Sequence, residues 1–261
     1  MTAGRILFVA STLAVAATIG IVALVGSAAI LPASCVALAY AAIILWGVMD
    51  QRMAMFAPIT RRLPDAENAI ALTFDDGPDR ATTRAVLDAL ARFGAHATFF
   101  VLGEKVRAAP DVLRDIARAG HTIGIHGDYH DRLLSLRAPK RIVAELERAR
   151  DSVAEIIGER PYLFRPPVGH VSPRTAVAAR QLALTIVGWS VRGRDGLSST
   201  SVADVERRVC AGLRPGAIIL LHDAAERGDR VPAGIAALPA ILEHATRAGL
   251  RCVALPARGS R

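Results

Sequence analysis

Two short clusters of residues have the types and the spacing of a metal site. The first contains two adjacent carboxylates, Asp75 and Asp76, directly after an apolar run. Two carboxylates at the end of a buried strand are costly unless a positive partner keeps them ionised. The second contains two imidazoles four residues apart, His126 and His130, which can chelate one ion from one face of a turn. Taken alone, the first cluster also has an ordinary structural interpretation, because Asp-Gly-Pro is a common turn sequence.

Combining the clusters gives one carboxylate, two imidazoles and an open coordination position. That is the ligand count of a catalytic rather than a structural zinc site. The same donors also fit a non-haem iron centre. We therefore expect one divalent metal ion, with zinc as the first expectation and cobalt, nickel, manganese or iron as alternatives.

A repeated strand and helix pattern is needed to position these side chains. The predicted strands are Ala69–Phe74, Ala97–Val101, Thr122–Ile125, Tyr162–Phe164, Thr185–Trp189, Ala217–Leu221 and Arg251–Leu255. The predicted helices are Thr83–Phe93, Pro110–Ala119, Pro139–Ile157, Pro173–Leu182, Val202–Leu213 and Pro232–Ala248. Such alternation favours an α/β fold with a parallel sheet. Seven strand–helix units favour a barrel that is slightly irregular.

Polar residues that could act as metal ligands, acids or bases lie where these predicted strands end. Asp75 and Asp76 follow the first strand, and the two histidines follow the third. Arg165, Asp195 and His222 lie at or just past the ends of the fourth, fifth and sixth strands. Because the carboxyl ends of parallel strands share one face, we expect a single site there.

Five motifs, in this order and spacing, resemble the polysaccharide deacetylases, that is, the NodB-homology domain of carbohydrate esterase family 4. The motifs are Thr73–Pro78, His126–His130, Arg165–Gly169, Trp189–Asp195 and Leu220–His222. The resemblance covers about residues 68–255, and the first motif is highly specific. It implies a distorted (β/α) barrel of seven or eight units. It also implies a metal-dependent hydrolase acting on carbon–nitrogen bonds other than peptide bonds, with an N-acetylated glycan as substrate.

The resemblance assigns roles to the charged residues of the motifs. Asp76, His126 and His130 would bind the metal, and Asp75 would be the general base for the attacking water. His222 would be the general acid that protonates the leaving amine. Arg165 would orient the base carboxylate, and Asp195 would keep the acid histidine protonated.

Three further residues are implied to shape the substrate pocket. The backbone N–H of Val168 would stabilise the oxyanion, Leu220 would face the acetyl methyl group, and Trp189 would line the same pocket. Gly127 replaces the Ser or Thr of the family pattern, and Val168 replaces an aromatic residue. Arg192 and Gly196 replace an Asp and a Trp in the fourth motif. These departures leave the bond chemistry intact and put the substrate's identity in question.

An apolar anchor precedes this domain. The 44 residues from Ile6 to Met49 contain no charged residue, and 35 of them are hydrophobic. A spanning helix needs about 20 apolar residues, so the run predicts two transmembrane helices, about residues 6–26 and 30–49. A cleaved signal peptide is the alternative for the first segment. The predicted organisation is an anchor at 1–49, a linker at 50–67, a catalytic domain at 68–255 and a tail at 256–261.

The anchor is expected to be integral to the inner cell membrane, and the sequence leaves open on which side of it the catalytic domain lies. Arg5 precedes the first span, and Arg52, Arg61 and Arg62 follow the second. The positive-inside rule would place both ends in the cytoplasm. A C-terminal reporter fusion that is active only outside the membrane would contradict this orientation.

Composition narrows the class of partner. The net charge is +8, but the arginines are scattered among carboxylates and aromatic residues are only 5%. This pattern disfavours nucleic-acid binding and suits a membrane surface. The partners expected are a carbohydrate and the lipid bilayer. Three functions follow: a deacetylase of a cell-envelope or other polysaccharide, a deacetylase or deformylase of a lipid-linked sugar, and a carbohydrate-binding pseudoenzyme.

Overall fold

The structure is a computed structural model that describes residues 2–63 and 66–256. Two long apolar helices precede an α/β domain. Residues 64 and 65 of the predicted linker and residues 257–261 of the predicted tail lie outside the described residues.

The described residues form eight strands and nine helices. The strands are β1 (Ala69–Asp75), β2 (Ala97–Leu102), β3 (Thr122–Gly127), β4 (Leu163–Phe164), β5 (Thr185–Ile186), β6 (Val191–Arg192), β7 (Ile218–His222) and β8 (Arg251–Cys252). The helices are α1 (Ala3–Val25), α2 (Ile30–Met49), α3 (Thr82–Arg92), α4 (Gly103–Ala108), α5 (Pro110–Arg118), α6 (Pro139–Ile157), α7 (Pro173–Gln181), α8 (Val202–Gly212) and α9 (Ala233–Arg247).

The strands form one parallel sheet in the order β5-β4-β3-β2-β1-β7-β6, and β8 pairs with the start of β1. The central strand β1 is buried along its whole length, as expected for a strand covered on both faces. The aligned register of β1 with β7 sets Asp75 opposite His222. The predicted clustering of strand-end residues is thereby confirmed.

The sheet curls into a distorted barrel. Its two outermost strands, β5 and β6, are consecutive in the chain and are separated only by residues 187–190. Five Cα steps can span at most about 18 Å, so the two edges must approach each other. In the described residues no ladder joins them, and the barrel therefore stays open at this seam.

Local sequence signals account for most helix limits. Ser172 and Ser201 cap α7 and α8 through their side chains, and Gly158 ends α6 in the left-handed conformation. Four details differ from the prediction. The predicted strand Thr185–Trp189 breaks after Ile186, and the predicted strand Arg251–Leu255 ends at Cys252. The short strand β6 and the short helix α4 were not predicted.

The helices α1 and α2 pack side by side, joined by a 3₁₀ turn at Gly26–Ala29. Both are long and apolar enough to cross a membrane, and hardly any of either span is buried. The end of α2 contacts the carboxyl edge of the sheet. The N–H of Val171 donates to the carbonyl of Val48 at 3.1 Å, and the N–H of Trp189 donates to Oε1 of Gln51 at 3.2 Å.

Candidate active site

A cleft of about 300 Å³ opens at the carboxyl edge of the sheet. Eight of the ten residues predicted for the site line it: Asp75, Asp76, His126, His130, Val168, Trp189, Leu220 and His222. The other two, Arg165 and Asp195, have no exposed surface and contact Asp75 and His222 from behind. The structure therefore brings the whole predicted set together.

Asp76, His126 and His130 form a cluster in which one ligand atom from each residue lies within 4.8 Å of the others. Oδ1 of Asp76 is 3.7 Å from Nε2 of both histidines. This oxygen is buried and accepts no hydrogen bond from any described group. A buried carboxylate oxygen without a donor is costly, and a divalent cation would satisfy it. The residues present thus fit a metal ion.

His126 faces the cluster with its unprotonated nitrogen. Nδ1 of His126 lies 2.7 Å from the carbonyl of Arg165, which can only accept, so Nδ1 carries the proton and Nε2 keeps its lone pair. Burial lowers the pKa of His126 to about 3 and also lowers that of His130. Burial raises the pKa of Asp76 to about 7, although the nearby His222 opposes this. Neutral imidazoles are the form that binds metals.

Asp75 is held by a fully buried arginine. Nη1 of Arg165 donates to Oδ1 of Asp75 at 2.7 Å and to the Thr73 hydroxyl at 2.8 Å. The guanidinium also lies 4.2 Å from the ring centre of Phe100. The other carboxylate oxygen, Oδ2, lies 3.8 Å from Nε2 of His126. One oxygen is therefore fixed and the other is directed towards the metal-binding cluster.

His222 and Asp195 form a second fixed pair. Oδ1 of Asp195 is 2.9 Å from Nδ1 of the imidazole, and Oδ2 accepts the backbone N–H of His222 at 2.8 Å. Burial alone would lower the pKa of His222, but Asp195, Asp76 and Asp75 outweigh it and raise the pKa to about 9. The imidazolium therefore persists at neutral pH. Its Nε2 lies 4.0 Å from Oδ2 of Asp76, on the cleft side.

The predicted pocket residues lie around this centre. Val168 has a left-handed backbone, with φ of 53°, a strained conformation for a β-branched residue. Gly169 follows, also with positive φ, and a Cβ there would lie 2.5 Å from the Trp189 ring. Leu220 is buried in the floor of the cleft. The turn at Val168 is therefore held closely against Trp189.

Sequence reasoning missed one residue of the site, Glu226. Its Oε1 lies 3.1 Å from Nδ1 of His130, a contact not aligned as a hydrogen bond. Both carboxylate oxygens accept from the guanidinium of Arg132. The loop that carries Glu226 is held by Lys105, whose Nζ donates to the carbonyls of Asp76 and Ala225. No motif marks Glu226, because its place depends on how two loops fold together.

Comparisons with known proteins agree with this geometry. A family model described as polysaccharide deacetylase matches residues 62–187. A peptidoglycan-N-acetylglucosamine deacetylase from Bacillus cereus is 32% identical over 197 residues, covering 75% of this chain and 90% of that protein. The peptidoglycan-N-acetylglucosamine deacetylase PgdA of Listeria monocytogenes is 34% identical over 173 residues, 64% of this chain. The match spans just over a third of that relative, 36%. The solved structure of the peptidoglycan deacetylase PdaC from Bacillus subtilis aligns with a TM-score of 0.66 at 31% identity, covering 74% of this chain and 89% of that one.

Proposed function

The chain belongs to the polysaccharide deacetylase family, and from that premise we propose that it is a membrane-anchored, metal-dependent hydrolase that removes N-acetyl groups from amino sugars of a cell-envelope glycan. The names of its relatives support the substrate class. The observation that carries the proposal is the metal-binding cluster of Asp76, His126 and His130, with Asp75 and His222 each within 4.0 Å of one of its members.

Asp76, His126 and His130 would hold one divalent ion, with zinc first and cobalt, nickel, manganese or iron as alternatives. When bound, such an ion supplies Lewis-acid polarisation of the acyl oxygen and lowers the pKa of a water ligand. The carbonyl of Arg165 fixes the ring of His126 through Nδ1, so this ligand is oriented before any ion arrives.

Asp75 is the general base in this proposal. Arg165 occupies Oδ1, so Oδ2 is left to accept the proton of the attacking water. Because Arg165 has no exposed surface, its hydrogen bond to Oδ1 of Asp75 is shielded from water and fixes the orientation of the carboxylate. Arg165 is therefore a positioning residue that acts through Asp75.

His222 donates a proton to the nitrogen of the breaking amide bond. An amine anion is a very poor leaving group, so this proton must arrive as the bond breaks. Asp195 favours the imidazolium and holds its Nδ1, which directs the other N–H into the cleft. Oxygen charge that develops during attack would be met by the N–H of Val168, whose strained backbone presents it at the cleft wall.

Anchoring by α1 and α2 is the second part of the proposal. Its support is the length and apolar composition of both helices and the lack of burial along them. Membrane fractionation of the full-length chain tests it, and extraction by carbonate or high salt instead of detergent would contradict it.

Acetate release from N-acetylated glycans tests the activity. The purified chain should release acetate from peptidoglycan or chitooligosaccharides, lose the activity after chelation and regain it when zinc is restored. Asp75→Asn serves as the inactive control. Tight glycan binding without release of acetate or formate would instead support the pseudoenzyme interpretation.

A further inference from the structure

Arginines dominate the rim of the cleft. Two of the three carboxylates that line the cleft, Asp75 and Asp76, lie on its floor, and the third is Glu226. The lining arginines are Arg132, Arg192, Arg194, Arg227 and Arg230. The proposed hydrolysis uses none of these five, so their role needs a separate explanation.

The segment 191–195 carries two of them. Val191, Gly193 and Asp195 are buried, whereas Arg192 and Arg194 are exposed. The backbone of Arg194 is left-handed, with φ of 61°, and both exposed side chains line the cleft. Because Asp195 is fixed against His222, the two arginines are held on the cleft side of the same segment.

Three of the rim arginines form no ion pair. Arg132 and Arg227 approach Glu226, but Arg192, Arg194 and Arg230 have no carboxylate within 4.0 Å in the part of the chain that the structure describes. Burial and the nearby Arg194 lower the pKa of Arg192, whereas Asp195 and Asp75 act to raise it. An anion bound between them would relieve the repulsion.

Arg230 is held against the same segment, because its Nη2 donates to the carbonyl of Leu197 at 2.7 Å. Gly196 and Leu197 of that segment line the cleft together with His222. The three arginines therefore line the same cleft as the proposed general acid.

The apolar helices meet the same edge of the domain. Gln51 lies two residues after the end of α2, and its side chain accepts the backbone N–H of Trp189. The Trp189 ring in turn makes a cation–π contact with Arg192, whose Cζ lies 5.7 Å from the ring centre. If α2 spans the membrane as proposed, the rim lies beside its water-facing end. A substrate held at the membrane surface would reach this cleft directly.

We propose that the substrate carries a phosphoryl group next to the acylated amino sugar, bound by Arg192, Arg194 and Arg230, and that it is a sugar phosphate linked to a membrane lipid. This inference rests on the deacetylase function proposed above. Guanidinium groups suit phosphate oxygens well, and three of them match a phosphoryl group, which offers more acceptor oxygens than a carboxylate. A water-soluble sugar phosphate shares this chemistry, so the test separates the two sources.

The test compares four substrates that present the same N-acetylated sugar to the full-length chain in lipid vesicles. They are a neutral oligosaccharide, a muramic-acid oligosaccharide bearing a carboxylate, a soluble sugar 1-phosphate and a prenyl-phosphate-linked sugar in the vesicle. Acetate release gives kcat/KM at low and high salt. The variants are Arg192→Gln with Arg194→Gln, and Arg230→Gln. The matched control is Arg118→Gln, an exposed arginine at the end of α5, at the opposite edge of the sheet.

We expect kcat/KM at least about tenfold higher for the phosphorylated sugars, falling with salt as charge attraction is screened. Each rim variant should lose about tenfold on these substrates and little on the neutral one, with Arg118→Gln unchanged. Faster turnover of the lipid-linked form supports the membrane source, whereas equal rates on both phosphorylated forms contradict it.

Acetate release without preference for phosphate, or a preference for the carboxylate, overturns the phosphoryl site and leaves the deacetylase function intact. A second measurement keeps the two ideas separable. Calorimetric binding of the sugar 1-phosphate to Asp75→Asn, with and without the rim substitutions, needs no turnover. Arginine-dependent binding supports the site even if no acetate is released, and its absence overturns the site.

Discussion

The floor and the rim of the cleft are built on opposite principles. On the floor, Asp75, Asp76 and His126 are almost wholly buried, and Arg165 and Asp195 behind them have no exposed surface. Most of these polar atoms have one partner at hydrogen-bonding distance. The rim, in contrast, carries exposed arginines, three of which form no ion pair within 4.0 Å among the described residues.

This contrast separates chemistry from selection. Buried charges must be paired, so the floor tolerates few arrangements and retains the family's residues. The exposed rim carries no such cost, and this chain departs from the family pattern there, at Arg192 and Gly196. Changes on the floor should therefore lower kcat, whereas changes on the rim should act on KM.

The largest expected effect separates two adjacent floor residues. Asp76→Ala should lose the metal and all measurable activity, because it removes a ligand. Asp75→Asn should keep the metal and lower kcat by about 10²–10⁴-fold, because it removes only the base. Metal content by elemental analysis, together with acetate release, distinguishes the two.

Thermal unfolding supplies the control for this pair, since Asp75→Asn leaves Arg165 buried without its charge partner at a cost of about 3–5 kcal/mol. The measurement should be made where both variants remain folded. If Asp75→Asn abolishes metal binding while still folded, the division of roles between the two carboxylates is wrong.

The next effect concerns the pH dependence set by Asp195. Because Asp195 raises the pKa of His222 to about 9, the rate should fall as pH rises through about 9 and the imidazolium is lost. Asp195→Asn should shift this limb to lower pH and reduce kcat by about 10²-fold at pH 8. A pH–rate profile of both proteins checks this, and an unmoved alkaline limb would contradict it.

The free energy of unfolding should also fall as pH rises towards the pKa of His222. The folded-state pKa of His222 lies above its ordinary value of about 6.5. The stabilisation of the folded protein by the charged imidazolium is therefore complete below about pH 6.5. That contribution should disappear as pH rises towards 9. The free energy of unfolding in urea should therefore differ less between pH 6 and pH 9.5 in Asp195→Asn than in the unsubstituted protein.

A smaller effect is expected at Glu226, which lies between floor and rim. Glu226→Ala should weaken metal affinity by about tenfold, because the groups that orient a ligand imidazole typically contribute this much. Glu226→Gln should recover part of the loss. Competition with a chromophoric chelator measures the affinity, with Glu155→Ala, an exposed glutamate of α6, as the control. Unchanged affinity in Glu226→Ala would assign Glu226 to pairing with Arg132 alone.

The smallest effect is expected where the helices touch the rim. Gln51→Ala removes the acceptor for the Trp189 N–H, and the loss of one such hydrogen bond costs about 1 kcal/mol. We expect KM to rise by at most about fivefold with kcat unchanged. Steady-state kinetics check this, and a large fall in kcat would mean that the helices help to organise the floor.

Local signals predicted much of the fold. The limits of α6 agree with the prediction because Pro139 suits the first turn and Gly158 ends the helix in the left-handed conformation. The predicted strand at Thr185–Trp189 was too long for a tertiary reason. Gln51 packs against Gly188 and takes the Trp189 N–H, so the sheet ladder cannot continue. Helix α4, with only six residues, is too short to give a periodic signal.

The sequence by itself determined the residues of the floor, their order along the strands and the two apolar helices, because these depend on composition and short-range spacing. Tertiary structure alone decided which unassigned residues joined them. Glu226 reached His130, Gln51 reached Trp189, and Arg230 joined Arg192 and Arg194 through loops whose geometry no local periodicity encodes. Contacts between residues far apart in the chain depend on how the whole sheet curls, and that curvature exists only once every strand is paired.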